Sequence, residues 1–290
     1  MPAPSLPSSD LLTETADRVD EILGPDAARL TVERVVVGLF FTGVKLAGGA
    51  TGACATPLST IREAVCCPSS AMAMPFPGKL RGRPARDLRR LLDEPDGIRR
   101  AVGVAAMNAL SAAAWDRAPH PGVTLRAGED AYAAAAIQPG ERVVVVGAFI
   151  PFIKALKRGG QSWTVLENDP ATLKPDELAH FRPAAEAPAV VPDADVLLIT
   201  GTTLLNGTLT GLLALARPEA RVVVVGPTVG LMADVLLAHG VDILGGIRVT
   251  DPDAFLDILA EGGSGYHFFG RSAEKVVLMR STGKSRALAA

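Results

Sequence analysis

RVVVVGAFIPFIKALKRGGQSWTVLEND, residues 142–169, decides the fold. Residues 142–147 are a continuous apolar run that stops at glycine. A run with no polar alternation marks a strand buried on both faces. Pro151 follows at the first position of a helix, where its missing N–H costs nothing. Gly159-Gly160 closes that helix, and residues 163–167 form the next strand. Strand, short helix, strand at this spacing is a parallel unit.

The same rhythm continues downstream. DVLLITG (195–201) is a third strand, followed by a helix at 208–216. RVVVVG (221–226) is a fourth, followed by a helix at 231–239. Residues 241–249 give a fifth strand, 253–260 another helix, and 276–279 an edge strand. Upstream the pattern differs. Residues 11–23 have apolar positions at helical spacing and stop at Gly24-Pro25. Residues 32–46 read as one strand, which Gly48-Gly49 turns back into 50–56 as a hairpin. Helices are expected at 84–92 and 95–117. The fold class is therefore α/β: an N-terminal α+β domain (11–125), then a Rossmann-like, mostly parallel sheet domain (126–282). Residues 1–10 and 283–290 are expected to be flexible tails.

Composition narrows the function. Among 290 residues, 29 Lys and Arg nearly balance 31 Asp and Glu, and the net charge of −2 steers neither nucleic acid nor anionic membrane. Aromatics are only 4%, too few for base-stacking platforms. The N-terminus lacks a basic segment followed by an apolar one, and no apolar run reaches membrane-spanning length. Cysteines number three, Cys54, Cys66 and Cys67, which is no disulfide framework. The expected location is cytoplasmic, with no nucleic-acid and no membrane partner; a homo-oligomer stays open.

Ligands of open α/β sheets sit outside the C-terminal strand ends, which nominates four loops. The first, G-A-F-I-P from Gly147, places Phe149 where a dinucleotide fingerprint has its second glycine, which disfavours NAD. Glu167, at the end of the next strand, stands where Rossmann-like proteins set a carboxylate for ribose hydroxyls, and Asp169 is close by. The third loop, T-G-T-T-L-L-N-G-T, gathers Thr200, Gly201, Thr202, Thr203, Asn206 and Thr208. Helix capping accounts for one or two of these, not for all. Gly226-Pro227-Thr228 repeats the design one strand on.

LLITGTTLLNGT (197–208) followed by VVVVGPTVGLMADVLLAHGVDILGG (222–246) closely resembles the family known as putative heavy-metal chelation. The hairpin VVVGLFFTGVKLAGGATGACATP (35–57) and the helix segment GVAAMNAL (103–110) are also similar to it. The resemblance covers roughly residues 11–279. It implies an enolase-N-terminal-like domain joined to a Rossmann-like domain with a site between them. It also implies a link to metal chelation or to making pterin-, flavin- or siderophore-like chelators. The positions it implicates here are Thr42, Asn108, Gly147, Phe149, Glu167, Thr202, Asn206, Gly226 and Thr228.

Soft metal ligands are weaker candidates. Cys54, Cys66, Cys67, Met72 and Met74 suit Cu(I) or zinc by type, but no C-x-x-C pair is present and free cysteine is commonly a buried hydrophobe. The histidines His120, His180, His239 and His267 are scattered; His267, in GYHFFG, is the one that can project into an interdomain cleft. His239 is expected to favour a helix C-terminus. Lys45 is expected to face solvent, as are the basic residues between Lys79 and Arg100, interleaved as they are with acids. The leading expectation is a small-molecule-binding protein, an enzyme of chelator-type metabolism, whose partner is a small molecule or metal chelate. The alternatives are a non-catalytic metal or metal-chelate binder and an S-adenosylmethionine-dependent transferase. The open cofactor classes are accordingly a metal ion and a nucleoside of the S-adenosylmethionine type.

Overall fold

A computed structural model describes residues 11–58, 74–95 and 97–281. The tails expected at 1–10 and 283–290 lie outside the described residues, as do Cys66, Cys67 and Met72. The chain opens with α1 (Leu11–Leu23), then β1 (Val32–Val37), β2 (Phe41–Leu46) and β3 (Thr51–Ala55). These strands form an antiparallel sheet in the order β1-β2-β3. After a nine-residue 3-10 helix (Ala85–Asp93) comes α2 (Ile98–Arg117), the long helix of this unit.

The second unit runs β4 (Val123–Ala127), α3 (Ala131–Ala134), β5 (Arg142–Val146), α4 (Ile150–Gly159), β6 (Ser162–Glu167), β7 (Phe181–Pro183) and α5 (Ala187–Val190). It continues with β8 (Val196–Thr200), α6 (Thr202–Leu205), α7 (Leu209–Leu215), β9 (Arg221–Val225) and α8 (Asp234–Ala238). The last elements are β10 (Ile243–Val249), α9 (Pro252–Ala260), α10 (Gly265–Phe268) and β11 (Ala273–Arg280). The eight strands are ordered β4-β11-β10-β9-β8-β5-β6-β7. From β7 to β10 all pairs are parallel, whereas β11 is antiparallel to both β10 and β4. The parallel part is a Rossmann-like arrangement, with crossovers leaving in opposite directions beside β5.

The apolar strand runs follow from burial on two faces. Val144, Leu197 and Val224 belong to one core cluster, and their strand neighbours Val143, Leu198 and Val223 to another on the opposite face. Each such valine or leucine contributes about 1.5–3 kcal/mol of burial free energy. The first cluster also contains Leu12, Val44, Leu88 and Val104 of the first unit, so the two units share a core. The small sheet is itself covered twice. On one side a Cβ at Gly52 would lie 2.2 Å from the backbone nitrogen of Ala109 in α2, so only glycine lets the strand and helix backbones approach. On the other side Ala53 packs with Phe255, Leu256 and Leu259 of α9.

Five expectations from sequence are corrected. Residues 32–46 are two strands, because the Gly38 N–H donates to the Phe41 carbonyl (3.0 Å) and turns the chain. The helix expected at 84–92 is 3-10 rather than α. That expected from 231 begins at Asp234, with Leu231, Met232 and Ala233 buried before it. Residues 276–279 belong to an interior strand, since β4 pairs outside β11. Lys45 is 8% exposed. Both faces of its strand are covered, and its ammonium bonds Glu33 Oε1 (2.8 Å) and Asp253 Oδ1 (2.8 Å). No helix among the described residues is long and apolar enough to cross a membrane.

Candidate functional site

A cavity of about 1000 Å³ opens at the C-terminal ends of β5, β6 and β8. Gly147, Phe149 and Ile150 form one wall, Glu167 and Asn168 the second, and Thr200, Thr202, Thr203, Asn206 and Thr208 the third. Ala184, Pro188, Leu212 and Leu215 make the remainder largely apolar. Among the described residues, Glu167 is the one ionisable side chain on its surface.

The first wall is shaped by Gly147, whose φ is +89°. A Cβ there would lie 2.7 Å from Thr200 Cγ2, so any larger residue is both strained and crowded. Phe149 precedes α4 and turns its ring edge-on to Phe152, 4.5 Å between centroids. Glu167 reaches across to this wall: its Oε2 accepts the Ala148 N–H (2.8 Å) and its Oε1 the Asn168 N–H (2.7 Å). Asp169 turns away to accept the Ala171 N–H (2.9 Å), capping a short 3-10 turn.

The threonine-rich wall is internally bonded. Thr200 and Thr202 hydroxyls are 2.6 Å apart, and Thr203 Oγ1 donates to the Thr200 carbonyl (2.7 Å). Thr208 Oγ1 donates to Asn206 Oδ1 (2.7 Å). Local bonding therefore engages all five polar residues, more than capping alone suggested. Asn206 and Thr208 stay exposed at the rim. Gly201 underlies the loop, its N–H donating to the Val225 carbonyl (2.7 Å).

Other candidates sit elsewhere. Thr228 is buried, and its Oγ1 accepts the Ala55 N–H (3.0 Å). Asn108, 4% exposed, donates through Nδ2 to the carbonyls of Ala53 and Thr228, both at 2.8 Å. Gly226 donates its N–H to the Gly245 carbonyl (2.9 Å), and Thr42 shares a hydroxyl pair with Thr56 (3.1 Å). Asn108 and Thr228 thus fasten the two units together, while Gly226 and Thr42 serve their own sheets. A separate crevice of about 300 Å³ between the units is lined by Gly49, Asn108, Asp116, Gly230 and Thr250. Gly147 and Asn206 meet at one cavity; Thr228 faces the joint.

Among the described residues the soft-ligand candidates do not assemble. Cys54 is fully buried in β3, within the core. His267 is exposed, and its Nδ1 accepts the Ser264 N–H (3.0 Å) in a one-turn cap. His239 ends α8 and meets Glu14 (2.7 Å), and His180 stacks on Trp163 at 3.7 Å. Among the described residues no group of three or more His, Cys, Asp or Glu is placed to hold a metal ion. The donor set in the described residues does not fit a resident heavy metal.

Residues 130–278 match the family described as putative heavy-metal chelation, and residues 21–111 match a second family model of the same description. A protein of unknown function from Pyrococcus horikoshii has a similar crystal structure, with a TM-score of 0.69 at 20% identity over 92% of this chain and 98% of that one. A second, from Desulfitobacterium hafniense, gives 0.69 at 21% identity over 92% and 99%. An uncharacterized protein of Methanocaldococcus jannaschii is 28% identical over 184 residues, 63% of this chain and 67% of that protein.

Proposed function

The chain belongs to the putative heavy-metal chelation family, and from that premise we propose that it binds an organic chelator, or a precursor of one, in the strand-end cavity. The observation that carries this reading is a roomy pocket at the switch point of a Rossmann-like sheet, apolar on one side and rimmed by threonine and asparagine on the other. A ligand that brings its own metal donors agrees with the donor chemistry of the described residues, which offer no cluster for a bare ion. Phe149 and Leu212 favour a flat or partly apolar body, and Asn206 and Thr208 favour polar substituents at its edge.

The first unit, a small antiparallel sheet backed by α2, supports an enolase-N-terminal-like description. Its part in this reading is structural: through Asn108 and Thr228 it holds the second unit in place.

Calorimetry with catecholate, hydroxamate and pterin-type chelators, each with and without iron, against free zinc and copper ions, tests the proposal. Saturable binding of an organic chelator is expected. Stoichiometric binding of the free ions alone would contradict it and favour a metal-binding protein. A second reading, an S-adenosylmethionine-dependent transferase, is favoured by Glu167 at the end of β6, where a ribose diol would sit. Calorimetry with that compound separates the two.

A further inference from the structure

We infer that Glu167 sets the chemical class of the ligand, making the cavity a site for unphosphorylated molecules that present an amine or paired hydroxyls. The inference rests on the strand-end cavity being the binding site.

An open α/β sheet ordinarily offers a phosphate the free N–H groups of the turn after its first strand and the positive end of the next helix. Here the first two of those donors, Ala148 and Phe149, are spent. The Ala148 N–H goes to Glu167 Oε2 (2.8 Å), and the Phe149 N–H to the Gly147 carbonyl (2.8 Å). Pro151 has no N–H to give. Glu167 Oε1 further takes the Asn168 N–H at 2.7 Å and the Asp169 N–H at 3.5 Å. The place of a bound anion is thus held by the chain's own carboxylate, half-buried and fixed from both sides.

Charge acts in the same direction. With Glu167 as the one ionisable side chain lining the cavity among the described residues, no lysine or arginine there offsets a phosphate. An incoming phosphate meets a like charge and finds the Ala148 and Phe149 donors occupied. An ammonium or a diol finds instead a carboxylate with an acceptor site left on Oε2, which takes a single N–H in this structure. Phe149 adds an aromatic face to the same wall, packed edge-on against Phe152.

The test uses the full chain, isotope-labelled, with inorganic pyrophosphate as the probe and the backbone amide signals of Ala148, Ile150 and Asn168 as the readout. In the wild type, millimolar pyrophosphate is expected to leave these signals unmoved. In Glu167→Gln, which keeps a hydrogen-bond acceptor and removes the charge, they are expected to shift saturably, with apparent affinity at least about tenfold above the wild-type limit. Glu167→Ala serves as the second variant if the first does not fold. Saturable shifts in the wild type would overturn the inference, and so would a folded variant that gains nothing. Wild-type shifts would still leave the cavity as a ligand site, whereas the cavity reading itself fails if obstructing the pocket leaves ligand capture unchanged.

Discussion

The Nδ2 of Asn108, in the middle of α2, donates to the backbone carbonyl of Thr228, in the loop after β9, at 2.8 Å. The same nitrogen serves Ala53 in β3, so a single buried amide ties helix, small sheet and large sheet together. A polar residue inside a helix of alanines and valines is there to satisfy carbonyls that neither sheet can reach.

Asn108→Ala is accordingly expected to cost on the order of 3 kcal/mol, because it strands two buried acceptors. Urea unfolding measures the loss. Ligand binding at the strand-end cavity, which Asn108 does not line, is expected to persist under stabilising conditions.

Gly147→Ala places a Cβ at a φ of +89° and 2.7 Å from Thr200 Cγ2. The expected cost is about 1–3 kcal/mol from backbone strain, together with weakened ligand binding, because β5 and β8 must part where the cavity begins. Denaturation curves and calorimetry on the same variant read both effects.

Lys45 couples stability to pH. The hydrogen bond to Asp253, then that to Glu33, raise its pKa above the ordinary 10.5. A group whose folded pKa is raised contributes fully below its unfolded pKa and loses that contribution as pH rises through the folded one. Wild type is therefore expected to be more stable than Lys45→Met at pH 7 to 10. The gap is expected to close above the ordinary lysine value. Melting temperatures across that alkaline range check it; a gap that stays constant would contradict the ion-pair account.

Much of this architecture was legible in the residues. The glycine-terminated valine runs at 142–147 and 221–226 became β5 and β9, because strands covered on both faces need no polar alternation. The Gly48-Gly49 turn joined β2 to β3 as expected. What stayed hidden depended on distant partners. β4 is half exposed, and only its pairing with β11 makes it a strand. Lys45 looked solvent-facing because nothing local announces that Asp253, more than two hundred residues away, will meet it.

The candidate site divided along the same line. Gly147, Phe149, Glu167, Asn206 and Thr208 were nominated from strand-end position, and all five line one cavity. Thr228 shares that position in sequence, but its strand lies beyond β8, and its hydroxyl is taken by Ala55 of the first unit. Glu167 stood in the expected place. Its bond to Ala148 was not readable, since it crosses between neighbouring strands.

Gly211 offers the most direct test of where the ligand sits. It lies within α7 on the cavity wall, and a Cβ there would meet nothing within 4 Å. Gly211→Ala is therefore expected to stabilise the protein by about 1 kcal/mol through helix propensity alone. Gly211→Trp is expected to fold and to obstruct the pocket. The deciding measurement is mass-spectrometric comparison of small molecules captured from a metabolite extract by the wild type, Gly211→Ala and Gly211→Trp. A compound enriched by the first two and lost with the third is the predicted result. Equal capture by a folded Gly211→Trp chain would contradict the cavity as the binding site.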